Sequence, residues 1–419
     1  MNGEGTPATD VPAWNAGRRL SARGIAGYCV AAAGSGFYAA FNNAALPLLI
    51  PTGNVLLLNL LSNTRSIEGA AVQPVIGAWS DRIWTRWGRR RPFMLAALPI
   101  SCLFMALTPF APGLAGIAAC IVLFSLFFNI AYDPYTALEG DIAPPSQRPM
   151  LNGMATAVGF AGQVGLGLVL GFGPFKNRMP SWVFLAVAAT LLLTWLVTIV
   201  SVKERRDQVR IEPRHTVPEY IRALRGHRQA FRCLLAFFSY NAGLNVILVN
   251  LTSYATHVLH VSKGGAIQLF LLVVLVTGVF TLPATWLAGR TGIKTVLTGG
   301  LVLMAVGCVG AFAARSVAEI LPLIAIAGLG NAAVNALTWP LLMQVVPSQR
   351  LGVFAGLKTA AESISAFAAA FVAFAMIGLW GYHSIFLAQL LGTTGCILAL
   401  RRVRVTDAVT EIWVAPAPA

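Results

Sequence analysis

Val72-Gln73-Pro74-Val75-Ile76-Gly77-Ala78-Trp79-Ser80-Asp81-Arg82 and, a few residues on, Gly88-Arg89-Arg90-Arg91-Pro92-Phe93 decide how this chain is read. An apolar run stops at Ser80, a dense cluster of charge follows, and Pro92 opens the next apolar run. The pattern is that of a membrane helix ending, a tight turn, and a second helix re-entering the bilayer. Arg82, Arg86, Arg89, Arg90 and Arg91 crowd the turn. Lys and Arg resist translocation, so they place this turn on the cytoplasmic side. Gly77 and Gly88 allow close helix approach and a sharp turn. A merely basic loop would set topology and nothing else. An acid and two glycines in fixed order among the arginines ask for more.

Composition outside this stretch agrees. Of 419 residues, 57% are hydrophobic and 11% charged, with a mean hydropathy of +0.72. A soluble globule carries about 25% charged residues. The net charge of +15 does not signal nucleic acid, because the basic residues sit between long apolar runs, where topology explains them. Cys29, Cys102, Cys120, Cys233, Cys308 and Cys396 lie in apolar segments without metal-ligand or redox spacing, so they read as small buried apolar residues. Residues 1–20 are polar and rich in Pro and Gly, and no cleavable signal peptide is expected.

Twelve apolar segments, each near the roughly 20 residues of a bilayer span, are predicted at 24–50, 54–79, 93–110, 114–138, 150–172, 181–202, 231–254, 264–288, 294–313, 318–343, 352–378 and 381–400. Of the 30 Lys and Arg, 25 then fall on one side, Lys176, Arg178, Lys263 and Arg315 on the other, and Arg65 inside a helix. That bias places both termini in the cytoplasm of a multi-pass cell-membrane protein. The longest polar stretch follows the sixth span, and its portion from Pro218 onward suits a short amphipathic helix on the membrane surface. An internal repeat supports the count. Pro145-Ser146-Gln147-Arg148 leads into the fifth span and Pro347-Ser348-Gln349-Arg350 into the eleventh, 202 residues later. Gly289-Arg290-Thr291-Gly292-Ile293-Lys294 is a worn copy of the loop at Gly88. The fold class expected is an all-α membrane protein of two six-helix halves in parallel repeat. The divisions are an N-tail at 1–23, halves at 24–202 and 231–400, a central loop at 203–230 and a C-tail at 401–419.

The order Gly77, Asp81, Arg82, Gly88, Arg89, Arg90 resembles the loop between helices 2 and 3 of the major facilitator superfamily. The wider segment through Pro92-Phe93 resembles the sucrose-transporter branch, itself related to the glycoside–cation symporters. A second segment, Asp133-Pro134-Tyr135-Thr136-Ala137-Leu138-Glu139-Gly140-Asp141, is similar to the end of helix 4 in those symporters. Sucrose transporters read Gly-Pro-x-Arg-Ala-Leu-x-x-Asp there, so Asp141 matches their terminal acid. Thr136 stands where that family has Arg, and the family's proton-linked Asp falls on Ser125.

Polar side chains at membrane depth must face a cavity or a partner. Tyr38 and Asn42, Asn129, Asn241 and Asn245, and Asn331, Asn335 and Trp339 fall on helices 1, 4, 7 and 10. Those helices line the central cavity of the superfamily the chain resembles. Fourfold spacing puts each set on one helix face, where amides and aromatic rings suit an uncharged polyol. The same residues can instead tie helices together. Asp133, one turn after Asn129, is the leading proton carrier, since poor hydration favours a neutral acid that can load and release a proton. Arg65 and Glu68, three apart, can pair on one face or take part in coupling, and Lys358 and Glu362 invite the same two readings. Asp81, Arg82, Arg89, Asp141, Arg148 and Arg350, at cytoplasmic helix ends, read as a gating charge network.

His257 and His260 lack a third ligand, and no phosphate loop is present, so neither a metal, a cofactor nor ATP drive is expected. The reading expected is a secondary transporter working by alternating access, a monomer in the bilayer that takes up a sugar or glycoside with a proton or other cation. A proton-driven exporter of small amphipathic compounds is the alternative, favoured by aromatic content and the missing family acid. A membrane-embedded enzyme would need a nucleophile–base or metal cluster at membrane depth, and the sequence offers none.

Overall fold

The computed structural model describes residues 19–50, 54–80, 83–143, 147–172, 180–204, 226–346 and 351–403. Among them twelve long helices follow one another: α1 Ala22–Ala40, α2 Val55–Ser80, α3 Arg91–Leu107, α4 Gly113–Ile142, α5 Arg148–Phe172, α6 Ser181–Ser201, α7 Arg228–His257, α8 Lys263–Thr291, α9 Ile293–Ala313, α10 Val317–Val345, α11 Leu351–Trp380 and α12 Ser384–Arg401. In hydrocarbon every backbone N–H and C=O must be satisfied within its own segment, and the helix does this. Most apolar runs were placed within a few residues. The larger differences are overruns, as at α4, where polar Glu139, Gly140 and Asp141 continue the helix beyond the apolar stretch. The segment from Pro218 lies outside the described residues, as does most of the C-tail.

Two departures from regularity matter. The first is at the end of α1, which passes into a π turn at Phe41–Ala45 and a 3-10 turn at Leu46–Leu48. Pro47 has no N–H to give the carbonyl four residues back, so the regular ladder cannot continue through Asn43. The second is α2. Eleven of the helices are long and apolar enough to cross a membrane, and α2 is not among them. It carries Asn59, Ser62, Asn63 and Thr64, all buried. Asn63 Nδ2 donates to the Asn59 carbonyl at 2.9 Å and Thr64 Oγ1 to the Leu60 carbonyl at 2.8 Å, so these two polar groups are satisfied within the helix itself.

The helices form two cores. One joins α1 to α6 and takes in Val249, Ile267, Phe270 and Val274 from α7 and α8. The other joins α7 to α12. α1 lies against α5 and α6, α7 against α12, and α9 against α10, while α2 with α11 and α5 with α8 connect the halves. A Cβ at Gly36 or Gly162 would strike the backbone of Gly159 or Ala33, so α1 and α5 approach at a distance that only glycine permits. One end of the bundle carries both Leu20 and Val403. There Leu20 N–H donates to Gln147 Oε1 at 2.7 Å and Lys294 Nζ to the Val403 carbonyl at 2.6 Å. This is called the terminal end below, and the opposite one the far end.

Candidate functional site

The charged residues of the bundle's middle come from α2 and α4. The Arg65 guanidinium lies over the Tyr132 ring, 3.9 Å from its centroid, and 5.2 Å from that of Phe128. Asn129 holds the strand of backbone beneath it, donating from Nδ2 to the Arg65 carbonyl at 2.9 Å. Glu68 turns the other way. Its carboxyl faces Ser125 of α4, yet Glu68 Oε2 and Ser125 Oγ are both buried and neither makes a hydrogen bond among the described residues. The Arg65–Glu68 pair that the spacing permits is not formed: no ion pair joins them among the described residues. A desolvated cation–aromatic contact is worth about 2 kcal/mol, which lets Arg65 leave the carboxylate three residues away. Lys358 and Glu362, in contrast, do pair on α11.

Asp133 is buried on α4, directly before Pro134, whose ring interrupts the helix ladder. Thr136 Oγ1 donates to the Asp133 carbonyl at 2.9 Å, and Thr136 itself is exposed. Behind this face lies an aromatic stack. Tyr135 packs on Tyr28 with centroids 4.7 Å apart and on Trp195 at 5.0 Å.

The structure divides the amides into two groups. Some are struts. Asn42, in the π turn, donates to the Ser62 carbonyl of α2 at 2.9 Å and to Asn43 Oδ1 at 3.2 Å. Asn129 ties α4 to α2, as above. Asn331 accepts from the Tyr240 hydroxyl at 2.9 Å and donates to Thr277 Oγ1 at 3.2 Å, joining α10 to α7 and α8. Tyr38 is 5% exposed and packs against Phe124 at 4.7 Å. In this conformation Tyr38, Asn129 and Asn331 sit behind a wall, because their polar or ring surfaces are used by neighbouring helices. The other amides keep open surface. Asn241 and Asn245 each donate one N–H to the carbonyl four residues back and stay half-buried, Trp339 is half-buried, and Asn335 is exposed. An exposed amide at membrane depth faces water in preference to lipid. An apolar cavity of about 40 Å³ beside Leu244, Met304, Cys308 and Asn331 is too small for a sugar.

At the terminal end a second constellation forms. Arg89 grips Asp141 with Nε at 2.9 Å and Nη2 at 2.5 Å, and Arg90 adds Nε at 3.2 Å and a bond to Ser80 Oγ. Beneath them Glu204, just past α6, accepts from the backbone N–H groups of Arg89 at 2.7 Å, Arg90 at 3.1 Å and Arg91 at 3.0 Å. A carboxylate there satisfies the orphan donors that open α3 and complements its dipole. Gly88, at φ 104°, makes the seat possible, since a Cβ would meet the Glu204 carboxyl 2.5 Å away. Sequence reasoning missed Glu204; the signal was an acid set between Lys203 and Arg205 directly after the sixth apolar run. This network links α2, α3, α4 and the end of α6, all in one half. Asp81, Arg82 and Arg350 lie outside the described residues, and so does the side chain of Arg148.

Among the described residues no group of His, Cys, Asp and Glu could hold a metal ion.

A family model described as MFS/sugar transport protein matches residues 62–395. The human proton-associated sugar transporter A is 33% identical over 163 residues, 33% of this chain and 22% of that protein. The sucrose transport protein SUT4 of Oryza sativa subsp. indica is 28% identical over 181 residues, 38% of this chain and 30% of its own. The general alpha-glucoside permease of Schizosaccharomyces pombe is 27% identical over 237 residues, 47% and 42% respectively. The chain thus spans less than half the length of these curated relatives. Among solved structures, a D-xylose-proton symporter superposes with a TM-score of 0.74 at 15% identity, over 91% of this chain and 98% of that one. The fold is that of the major facilitator transporters.

Proposed function

The chain belongs to the MFS/sugar transport protein family, a family of transporters and not of enzymes, and we propose that it carries a sugar or glycoside across a cell membrane together with a proton. The relatives named for sucrose, alpha-glucoside and proton-associated sugar transport support the cargo class. The observation that carries the coupling is the detached pair: half-buried Glu68, its Oε2 shut away from solvent on the side of Ser125, and Arg65 held on Tyr132. In the sucrose transporters that the sequence resembles, an acid falls at the position of Ser125. Here an acid from α2 faces that position.

The cycle follows from the geometry. An ionisable side chain at membrane depth is costly enough to require a role, and Glu68 is the carboxyl that takes up the proton when its side of the membrane opens. Neutral Glu68 lets Arg65 stay on Tyr132, with its remaining N–H groups free for cargo hydroxyls. After proton release, Arg65 can swing back three residues to the charged carboxylate. Asp133 is a second carboxyl on the same pathway. Cargo is held across the halves, with Asn241, Asn245 and Asn335 supplying hydrogen bonds, Arg65 on Tyr132 facing it from the first half, and the Trp339 ring covering the apolar side of a sugar. With the terminal end cytoplasmic, as the Lys and Arg bias indicates, this conformation is shut to the outside and cargo leaves toward the cell interior. The Arg89–Asp141 network holds the α2–α3 turn to α4, so that one half rocks as a unit.

The test is proton movement in proteoliposomes as a panel of mono- and disaccharides is added. Sugar-evoked proton entry is expected. Silence across the panel from folded protein, with amphipathic cations expelled instead, overturns the reading in favour of an exporter.

A further inference from the structure

Where α2 meets α7, two side chains do something that the proton and cargo sites do not require. Asn59 and Asn250, 191 residues apart, exchange hydrogen bonds: Asn59 Nδ2 donates to Asn250 Oδ1 at 3.2 Å and Asn250 Nδ2 to Asn59 Oδ1 at 2.9 Å. Each amide also donates its second N–H within its own helix, to the Val55 carbonyl at 2.9 Å and to the Val246 carbonyl at 2.9 Å. Both residues are 0% exposed. Neither amide can be satisfied in this dry setting unless the two halves of the bundle touch.

We infer that Asn59 and Asn250 form an uncharged latch that holds the far end of the transporter shut. Its surroundings are those of a seal. Val249, Ile267, Phe270 and Val274 of the second half are packed into the core of the first. One helix pair away, Gln268 Nε2 of α8 donates to the Gly171 carbonyl of α5 at 2.8 Å. At this contact Gly167 and Gly171 let α5 and α8 close together, with Leu271 and Gln268 filling the space a side chain would need.

An amide pair suits a gate for a stated reason. Two apolar side chains would hold the halves together and resist water when they part. A salt bridge would leave two bare charges and would titrate. Reciprocal amides lose two bonds on opening and regain them from entering water, so the closed and open states stay near in free energy. They also carry no proton, so the latch does not respond to pH, and proton binding at Glu68 can bias the equilibrium without weakening the gate. The inference rests on the alternating-access reading but not on the identity of the cargo.

The test is a distance measurement between spin labels on cysteines placed at Phe110 and Arg315, which are exposed at the far ends of the two halves, with Cys120 replaced by alanine. Asn59→Leu strands the Asn250 amide, and Asn250→Leu strands Asn59. Each should raise the population with separated far ends by roughly tenfold, because a buried unsatisfied amide is costly. The double variant Asn59→Leu/Asn250→Leu removes both amides and should return toward the parent distribution. Single variants that match the parent, or a double variant displaced as far as the singles, overturn the latch. If the single variants do not purify folded, Asn59→Cys/Asn250→Cys decides. Its oxidation should bridge the helices and leave only the short distance. A folded pair that fails to bridge, or that keeps the long distance once bridged, overturns it. None of these readings uses sugar, so a failed latch and a wrong cargo are separately visible.

Discussion

The two halves of the bundle share an architecture and divide the chemistry. The middle of the first half holds Arg65, Glu68 and Asp133, with an aromatic plate of Tyr132 and Phe128 that keeps the guanidinium away from the nearest acid. The second half offers open neutral groups, Asn241, Asn245, Asn335 and Trp339, beside a Lys358–Glu362 pair that neutralises itself. The first half keeps an acid and a base that do not pair, Glu68 and Arg65, whereas the charges of α11 in the second half, Lys358 and Glu362, pair with each other and leave the amides as its open polar groups. The lesson is that coupling and recognition can be altered separately, because they sit on bodies that move relative to each other.

The separation can be broken most severely at Glu68. Glu68→Gln should abolish gradient-driven accumulation while leaving counterflow exchange, because the amide mimics the protonated acid and cannot release a proton. Asp133→Asn is the companion measurement. If it alone abolishes accumulation, the principal carrier is on α4. A smaller effect is expected from the second half. Asn335→Ala should raise the sugar KM by about tenfold, the cost of one hydrogen bond to a polar ligand, and should leave the number of protons moved per sugar unchanged. A change in that number would join the two functions that the comparison separates. Arg65→Lys sharpens the contrast further. Lysine lacks the flat guanidinium that stacks on Tyr132, so the charge is free to return to Glu68, and uptake should lose its pH dependence before its maximal rate. The smallest effect is structural. Gly88→Ala forces a side chain into a left-handed backbone position and onto Glu204, which should cost about 1–2 kcal/mol and lower the melting temperature by a few degrees, read by thermal unfolding in detergent.

Much of the fold was legible from long apolar runs, because a bilayer imposes both length and helicity on each span. The repeat at Pro145 and Pro347 is a pattern of the sequence alone, since both prolines lie outside the described residues. The α2 helix was placed despite its weak hydropathy, from the apolar run that ends at Ser80. The site was less readable. Fourfold spacing puts Asn331 and Asn335 near one face, but an offset of about 40° and a turn of height separate one locked to Tyr240 from one that is exposed. The i,i+3 spacing of Arg65 and Glu68 permits a pair and does not compel one, since the competing partner, Tyr132, arrives from another helix. The π turn at Asn42 and Asn43 and the seat of Glu204 on the start of α3 both depend on contacts made only after the helices pack. Asn59 and Asn250 carried no signal at all beyond being polar.

The measurement that tests the central claim most directly is proton uptake by the purified protein, in weakly buffered detergent solution, when the sugar identified in proteoliposomes is added. The parent should take up protons on binding sugar, and Glu68→Gln should bind the sugar without taking up any. Undiminished proton uptake by Glu68→Gln would contradict the account and move the coupling site away from the α2–α4 interface.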